Sequence, residues 1–412
     1  MSFFRSRWVE QPPQASEVEP TALPRGYRAA GVAAGIKPVG LDVGVLVSDE
    51  PATASAARFC HSALLGAPVV ASREARTDAL RAIVASSGNA NVADGGRGLA
   101  TARAGQQAAA DALGLQADDV GIAATGVIGR ELPRDRLTEG VAQAAAALGD
   151  DADSFTRSIM TTDRGPKRAC LDVDLPRGKV RLAAQAKGAG MIQPHFATMF
   201  CFVQTDAAMA HETVELLTGV CVKRSFDRIS VDGQLSTSDT VFVMANGASG
   251  VRVEPESADE LVFGEALDAL MRQLAFEIVA DGEGAQRVGR IVVRGAPELV
   301  EPVARAVAGS PLVKTQLHGA DPNFGRILQS TGQALAGTGA PFLVDLEIEG
   351  RQVVSGGQVV PLDDGEWHAL EEAVKRDQVE YVLSLPGDEG ETEVFFSDLS
   401  HEYVTINSEY TT

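Results

Sequence analysis

The sequence predicts a mixed α/β protein with two lobes, and three observations carry this prediction. Along the 412-residue chain, longer runs with helical spacing alternate with short apolar runs that are typical of buried strands. Apolar residues make up 45% and charged residues 22% of the chain, which favours a packed core and argues against global disorder. The length fits about two to three ordinary domains or one large layered domain.

Each predicted element has a local signal of its own. The first 25 residues hold four prolines and little periodicity, so we expect a loosely structured arm over 1–25. An Ala-rich stretch predicts a helix over Gly98–Leu113, and leucines near helical spacing predict another over Asp259–Ile278. Strands are predicted at Gly121–Ala124, Thr198–Gln204, Thr240–Ala245, Arg290–Val293 and Phe342–Ile348. The last of these strands and Gln352–Ser355 predict a hairpin around Glu349-Gly350-Arg351.

Charge and motif content exclude several function classes. The net charge of −20 argues against nucleic-acid binding, because phosphate recognition needs clustered Lys and Arg. No run approaches the roughly 18 apolar residues of a membrane span and no signal peptide is visible, so we expect a cytoplasmic protein without a membrane partner. The four cysteines form no C-x-x-C pair and are expected to be reduced and buried. Nucleotide-binding motifs and helical metal-ligand spacing are missing, so no metal or organic cofactor is expected.

The segment Lys187–Phe200, KGAGMIQPHFATMF, has the composition of an N-terminal-nucleophile site. Gly188 and Gly190 allow a tight backbone path, and an apolar run typical of a buried strand follows Ala197 and Thr198. A chain break before Thr198 would free an α-amine with a pKa of about 7.7–8, which can accept a proton from the threonine hydroxyl. The alternative is that Thr198 only begins a core strand, where threonine is common.

This segment resembles the cleavage segment of the ornithine acetyltransferase family, the bifunctional glutamate N-acetyltransferases of arginine biosynthesis. Further blocks resemble family motifs in family order, and together they cover roughly residues 25–412. They are RAAGVAAGIK at 28–37, SGNAN at 87–91, TGVIG at 125–129, MTTD at 160–163, VDG with STSDT at 231–240, DGEGA at 281–285, HGADPNFGRIL at 318–328 and YVTINSEYTT at 403–412.

The resemblance implies self-cleavage between Ala197 and Thr198. An α chain, residues 26–197 after the arm, and a β chain, residues 198–412, would then form one interleaved catalytic unit. It also implies an acetyl-enzyme on Thr198, which is loaded from N-acetylornithine and discharged to glutamate; in bifunctional members acetyl-CoA also loads the enzyme. The implied fold is a layered αββα fold of N-terminal-nucleophile type with a smaller second lobe, and the implied assembly is an (αβ)2 heterotetramer.

The resemblance also assigns residues around the nucleophile. Thr125 and Gly126 would form the oxyanion hole, with an ordinary strand-to-loop turn as the alternative. Lys187 would pair with a substrate carboxylate and Glu283 with a substrate amine, whereas a surface lysine and a surface loop glutamate are the alternatives. The full set of implied substrate-binding residues is Thr161 or Thr162, Lys187, Thr198, Glu283, Asn407 and Thr412. For the threonines of MTTD the alternative is a cap or turn, and for the last six residues it is a frayed terminus.

The chain departs from the family pattern beside the cleavage site, where His195 and Phe196 replace a smaller polar residue and Met or Leu. This departure bears on the rate of self-cleavage and on the choice of acyl donor. Two further function classes stay open at this point. One is an aminopeptidase or amidohydrolase of the same N-terminal-nucleophile fold, and the other is an uncleaved, non-enzymatic scaffold.

Overall fold

The structure, a computed structural model, describes residues 2–193 and 199–409. Its strands are β1 (Ala15–Glu17), β2 (Tyr27–Val32), β3 (Val43–Ser48), β4 (Ala54–Phe59), β5 (Ala82–Asn89), β6 (Val120–Val127), β7 (Lys167–Leu175), β8 (Gly178–Lys187), β9 (Phe200–Thr205), β10 (Ile229–Ser230), β11 (Thr240–Ala245), β12 (Val288–Gly295), β13 (Asp345–Ile348), β14 (Arg351–Ser355), β15 (Gln358–Val359), β16 (Gln378–Ser384) and β17 (Gly390–Ser397). Its α-helices are α1 (Ala67–Glu74), α2 (Gly95–Leu113), α3 (Arg134–Ala146), α4 (Asp153–Ile159), α5 (His211–Arg224), α6 (Ala258–Ala280), α7 (Pro297–Gly309), α8 (Pro311–His318), α9 (Phe324–Leu335), α10 (Asp364–Ala373) and α11 (His401–Glu409).

Two β-sheets pack face to face in the first lobe. One has six strands in the order β1-β7-β8-β9-β11-β4, and the other has four in the order β2-β3-β5-β6. Phe200 and Phe202 of β9 and Phe242 of β11 pack against Leu46 of β3 and Ile83 of β5, which belong to the four-stranded sheet. The layer between the sheets is therefore filled by large apolar side chains, as expected for aligned sheets about 10 Å apart.

Helices cover the outer face of each sheet. Helices α1, α2 and α3 pack on the four-stranded sheet through small and apolar side chains. Helices α5 and α6 cover the six-stranded sheet. Because β9 and β11 thus face apolar neighbours on both sides, all their residues are buried, which explains their continuous apolar sequence. The layer order is α, β, β, α, which confirms the predicted fold class.

A smaller second lobe follows in sequence. Its seven-stranded sheet has the order β10-β17-β12-β16-β13-β14-β15. Side chains of β12, β16 and β17 form a core with α7, α8, α9 and α10 that is separate from the cores of the first lobe. The expectation of two lobes is confirmed.

The predicted helices and strands are found with small shifts. Helix α2 begins at Gly95 rather than Gly98. Strand β9 begins at Phe200, and Thr198, the predicted first residue, lies outside the described residues. The hairpin β13–β14 turns on Glu349 and Gly350 alone, with φ of 50° and 74°, so Arg351 already belongs to the second strand. Positive φ at both positions is the type I′ geometry that fits the twist of paired strands.

One strand prediction is wrong in its first half. The strand predicted from Phe342 begins only at Asp345, and the side chains of Phe342 and Leu343 are 40% and 57% exposed. The partner strand β16 ends at Ser384, which pairs with Asp345, so the residues before Asp345 have no strand beside them. The apolar composition of 342–348 predicts a strand, but it does not show where the neighbouring strand ends.

The expectation of a loosely structured N-terminal arm does not hold for residues 2–25. Strand β1 pairs antiparallel with β7, and the side chains of Val9, Ala15 and Leu23 are buried. The Trp8 ring stacks on Phe395 with 5.7 Å between the ring centroids. Prolines interrupt helices but fit extended segments, so they do not prevent a segment with apolar anchors from docking on the core.

Replacing Trp8 tests this docking. We expect Trp8→Ala to lower the free energy of unfolding by about 2–3 kcal/mol, less than the roughly 3–5 kcal/mol of a fully buried aromatic residue because Trp8 is half-buried. Trp367, which is 37% exposed on α10, is the matched control, and its Ala variant should cost below about 1 kcal/mol. Chemical unfolding of both variants measures the difference. Equal destabilisation would mean that the packing of Trp8 stabilises the fold no more than an exposed tryptophan does.

Candidate active site

A cavity of about 220 Å³ lies where the two facing sheets meet the loop after β8 and the last helix. It brings together seven of the predicted site residues, which come from distant parts of the sequence. They are Thr125, Gly126, Thr161, Thr162, Lys187, Glu283 and Asn407. The other lining residues are Ala90, Ile128, Gly190, Met191, Asp232, Gln234, Thr237, Ser238 and Tyr403.

Thr125 and Gly126 lie at the end of β6, which pairs in parallel with β5 so that Gly126 stands beside Gly88. Gly126 has a φ of +129°, and a Cβ there would lie 2.4 Å from the backbone carbon of Gly88. Only glycine fits this close approach. The buried Thr125 hydroxyl accepts a long hydrogen bond of 3.4 Å from Lys187 Nζ, which leaves its own proton for another acceptor.

Lys187 is the last residue of β8 and the cross-strand partner of Phe200 in β9. Its side chain is buried, with 2% of the residue exposed, so the alternative of a surface lysine is wrong. Burial lowers the pKa of Lys187, and the nearby Asp163 carboxylate works against this by favouring the charged form. The site therefore contains an amine that needs a negative partner to stay charged.

Asp163 supplies negative charge beside this lysine. Burial alone would raise the pKa of Asp163, but the charges of Lys167 and Lys187 outweigh it and hold the pKa well below its usual range. Asp163 Oδ1 accepts from Gly188 N at 2.8 Å and from Lys167 Nζ at 2.7 Å. Because its hydrogen bonds and charge partners favour the anion, Asp163 is ionised at neutral pH.

Glu283 carries the other carboxylate of the cavity. Its Oε1 accepts from Thr162 Oγ1 at 2.7 Å and its Oε2 accepts from Asn407 Nδ2 at 2.8 Å. Glu283 is 8% exposed, which rules out a solvated surface loop. Gly190 makes room for it, since a Cβ on Gly190 would lie 2.6 Å from Glu283 Cδ.

The same contacts settle where the MTTD block and the last helix lie. Thr162 turns to Glu283, whereas Thr161 N donates to Asp163 Oδ2 at 2.9 Å within its own turn, and both threonines line the cavity. Asn407 belongs to α11, so the chain is ordered against the site at this point rather than frayed. Thr412 lies outside the described residues.

The predicted nucleophile Thr198 and its neighbour Ala197 also lie outside the described residues, as do His195 and Phe196. The next described residue, Met199, is hydrogen-bonded beside the cavity. Met199 N donates to Asp239 Oδ1 at 2.9 Å. Asp239 directly follows Thr237 and Ser238, which line the cavity. Burial raises the pKa of Asp239 well above its usual value. Strand β9 therefore begins next to the cavity.

Four acidic or phenolic residues of the site were not singled out by the sequence. They are Asp163, Asp232, Asp239 and Tyr403, of which Asp232 and Tyr403 line the cavity. All four fall inside the motif blocks quoted above, so the blocks marked the region without assigning these roles. Burial raises the pKa of Tyr403, which also forms a side-chain hydrogen bond with Asp232.

The cysteines do not offer a competing nucleophile. All four are free and buried, as expected. Burial raises the pKa of Cys60 to about 11 and that of Cys170 and Cys221 to about 12, and it raises that of Cys201 as well. A thiol attacks as its thiolate, so these side chains are inert at neutral pH.

Comparison with known proteins identifies the family. A family model described as "ArgJ family" matches residues 28–412. The chain belongs to the ArgJ family. It is 41% identical over 396 residues to the arginine biosynthesis bifunctional protein ArgJ of Nitratidesulfovibrio vulgaris, covering 95% of this chain and 99% of that one. The protein of the same name from Symbiobacterium thermophilum is 40% identical over 400 residues, covering 94% and 98%.

A solved structure is also similar to part of this chain. The ornithine acetyltransferase of Mycobacterium tuberculosis, complexed with ornithine, is 32% identical and matches 45% of this chain and 99% of its own, with a TM-score of 0.41. Membership of the ArgJ family confirms the resemblance seen in the motifs. The chain is an acetyltransferase of arginine biosynthesis, and neither the aminopeptidase nor the scaffold alternative is favoured.

Within residues 2–193 and 199–409, no group of three or more His, Cys, Asp or Glu side chains is placed to hold a metal ion. Among the described helices, none combines the length and the apolar character that crossing a membrane requires.

The space around Glu283 yields a prediction. A methyl group in Gly190→Ala pushes the Glu283 carboxylate away from its two donors. We expect the KM for the acetyl donor to rise about tenfold, the equivalent of roughly 1.4 kcal/mol, which is the size of one lost hydrogen bond to a charged group. Steady-state kinetics measure it. Gly165→Ala, at a glycine that does not line the cavity and whose added Cβ would meet nothing within 4 Å, is the control. An unchanged KM in Gly190→Ala would show that the Glu283 position is unimportant.

Proposed function

We propose that this chain is a self-cleaving acetyltransferase that moves an acetyl group from N-acetylornithine to glutamate through an ester on Thr198. The observation that supports it best is the cavity in which a buried amine, Lys187, and a hydrogen-bonded carboxylate, Glu283, line one small volume. Ornithine and glutamate each carry an amine and a carboxylate. A lysine and a glutamate that line one cavity suit such substrates by charge pairing.

In the processing step, the Thr198 hydroxyl adds to the Ala197 carbonyl and the peptide C–N bond breaks. The acyl group moves to the threonine oxygen, and the proton moves to the new α-amine. Water then opens the ester, which leaves the α chain with a carboxylate end and restores the hydroxyl. The β chain begins with Thr198, whose free amine serves as the base beside its own hydroxyl.

In the first half-reaction, the Thr198 hydroxyl attacks the acetyl carbonyl of N-acetylornithine while its proton passes to the α-amine. The negative oxygen of the tetrahedral intermediate is stabilised by the Thr125 hydroxyl and the Gly126 N–H, each worth about 2.7–4 kcal/mol in a site of this kind. The amide C–N bond then breaks, and the nitrogen of ornithine leaves with the proton. Lys187 holds the substrate carboxylate and Glu283, with Thr162 and Asn407, holds the distal amine.

In the second half-reaction, the amine of glutamate attacks the ester and takes the acetyl group. The threonine oxygen leaves and regains its proton, so the enzyme is restored. Hydroxyl, amine and oxyanion donors supply all that acyl transfer needs, and we propose neither a resident metal nor an organic cofactor. The family resemblance implies acetyl-CoA as a further donor, and two relatives carry the description bifunctional. The proposed assembly, an (αβ)2 heterotetramer in the cytoplasm, follows the family resemblance, as do the substrate roles of Thr161 and Thr412.

Substitution of Thr198 tests the nucleophile in both of its roles. Thr198→Ala is expected to stay one band of 43.1 kDa and to form no N-acetylglutamate, because it lacks the attacking oxygen. Thr198→Ser keeps a hydroxyl and should retain part of both activities. Denaturing electrophoresis and product assays measure this. An Ala variant that is fully cleaved would show that another agent makes the cut.

The fate of the acetyl group separates transfer from hydrolysis. With N-acetylornithine labelled in its acetyl group and glutamate in excess, we expect the label in N-acetylglutamate, since transfer requires that the amine of glutamate reach the ester before water does. Chromatography of the products measures the partition. A control without glutamate gives the rate of hydrolysis. Label that appears mainly in acetate at saturating glutamate would identify a hydrolase instead.

A further inference from the structure

The chain that leads into the cleavage segment contains a residue in the left-handed conformation. Met191 has a φ of 58°, and it lies shortly before residues 194–198. A side chain with a Cβ is disfavoured in this region, and such a residue persists only where its surroundings force it. The conformation of Met191 therefore needs a cause in the contacts around it.

Asp232 supplies that cause. Its Oδ2 accepts from Met191 N at 2.6 Å and its Oδ1 accepts from Ile192 N at 2.9 Å. In the opposite direction, Ile192 O accepts from Val231 N at 2.9 Å. The Asp232 carboxylate thus binds two consecutive backbone N–H groups, those of Met191 and Ile192. The backbone N–H of Val231 binds the next carbonyl, that of Ile192. These bonds fix the path of the chain at Met191.

The segment 231–240, to which Asp232 belongs, also binds the chain that follows residues 194–198. Met199 N donates to Asp239 Oδ1 at 2.9 Å, and Thr240 N donates to Met199 O at 3.2 Å. Residues 231–240 therefore bind the chain both before and after the Ala197–Thr198 bond. The described chain on either side of residues 194–198 is therefore fixed by one segment, and a fixed approach is how enzymes bring reacting atoms into attack geometry.

We propose that Asp232 is a positioning residue for self-cleavage: by holding Met191 in the left-handed conformation it sets the direction in which the chain leaves Met191 toward the proposed cleavage site. It acts through the backbone and takes no part in proton or acyl transfer. This inference rests on the proposed self-cleavage at Thr198 and adds a residue to which no role in that step has been assigned above.

Asp232→Asn is the direct test. Asparagine has the same shape, but one of its two acceptors becomes an NH2 group that faces a backbone N–H. We expect the freshly synthesised chain to cleave about tenfold more slowly, a barrier change of roughly 1.4 kcal/mol. A time course on denaturing gels measures the cleavage rate. The urea midpoint of unfolding, measured in parallel, separates this effect from a general loss of stability.

A second substitution at Met191 distinguishes positioning from a merely structural role. Glycine adopts the left-handed conformation without steric cost. Replacing Met191 by alanine also removes the methionine side chain, but its Cβ keeps the steric cost of that conformation. Asp232→Asn with Met191→Gly should therefore recover most of the cleavage rate, and Asp232→Asn with Met191→Ala should not. Met191→Val, with Asp232 intact, makes the left-handed conformation harder and should slow cleavage too, even if the Asp232 variant fails to fold.

Asp206 offers a matched control. It is a buried aspartate just after β9 that accepts from Arg181 N at 2.8 Å, away from the cavity. Asp206→Asn should lose stability yet cleave at the wild-type rate. Wild-type cleavage in Asp232→Asn, or equal recovery with Gly and Ala at Met191, would overturn the inference. A wild-type chain that never converts from 43.1 kDa would instead overturn the proposed self-cleavage.

Discussion

A buried amine, the side chain of Lys187, is the constraint on which the arrangement of the site depends. An isolated ammonium in a protein interior is costly, so its surroundings must supply negative charge and hydrogen-bond acceptors. Asp163 does so from one side and is held in turn by Lys167 and the backbone of Gly188. Those contacts join the start of β7 and the end of β8 to the MTTD turn. The six-stranded sheet therefore fixes the position of the carboxylate that lies near Lys187.

The sheet also explains how one chain could be cut without coming apart. Strand β8, before the proposed cut, and strand β9, after it, are paired neighbours in the six-stranded sheet. Strand β9 pairs on its other side with β11, which in turn pairs with β4 from the first part of the chain. The two proposed chains are therefore interleaved by hydrogen bonds and by the apolar layer between the sheets. A new chain end at position 198 would be created inside a finished fold.

The sequence predicted those elements whose pattern is local. Strands β9 and β11 are apolar on both faces, and Glu349-Gly350 marks a hairpin by its backbone requirements. The arm was missed because its order comes from Trp8 packing on Phe395, almost the whole chain away. The residues of the cavity were predicted through family motifs and not through spacing, since five separate elements bring them together. The contact of Asp232 could not be predicted from the sequence, because it binds a backbone N–H 41 residues earlier in the chain.

The most direct test of the account is to trap the acyl-enzyme. Purified protein is incubated with N-acetylornithine in the absence of glutamate, quenched in acid and digested, and the peptide that begins at Thr198 is examined by mass spectrometry. The account predicts the mass of one added acetyl group on the Thr198 side chain, and its loss when glutamate is supplied. N-acetylglutamate formed at the normal rate, with no acetyl group found on that peptide, would contradict it.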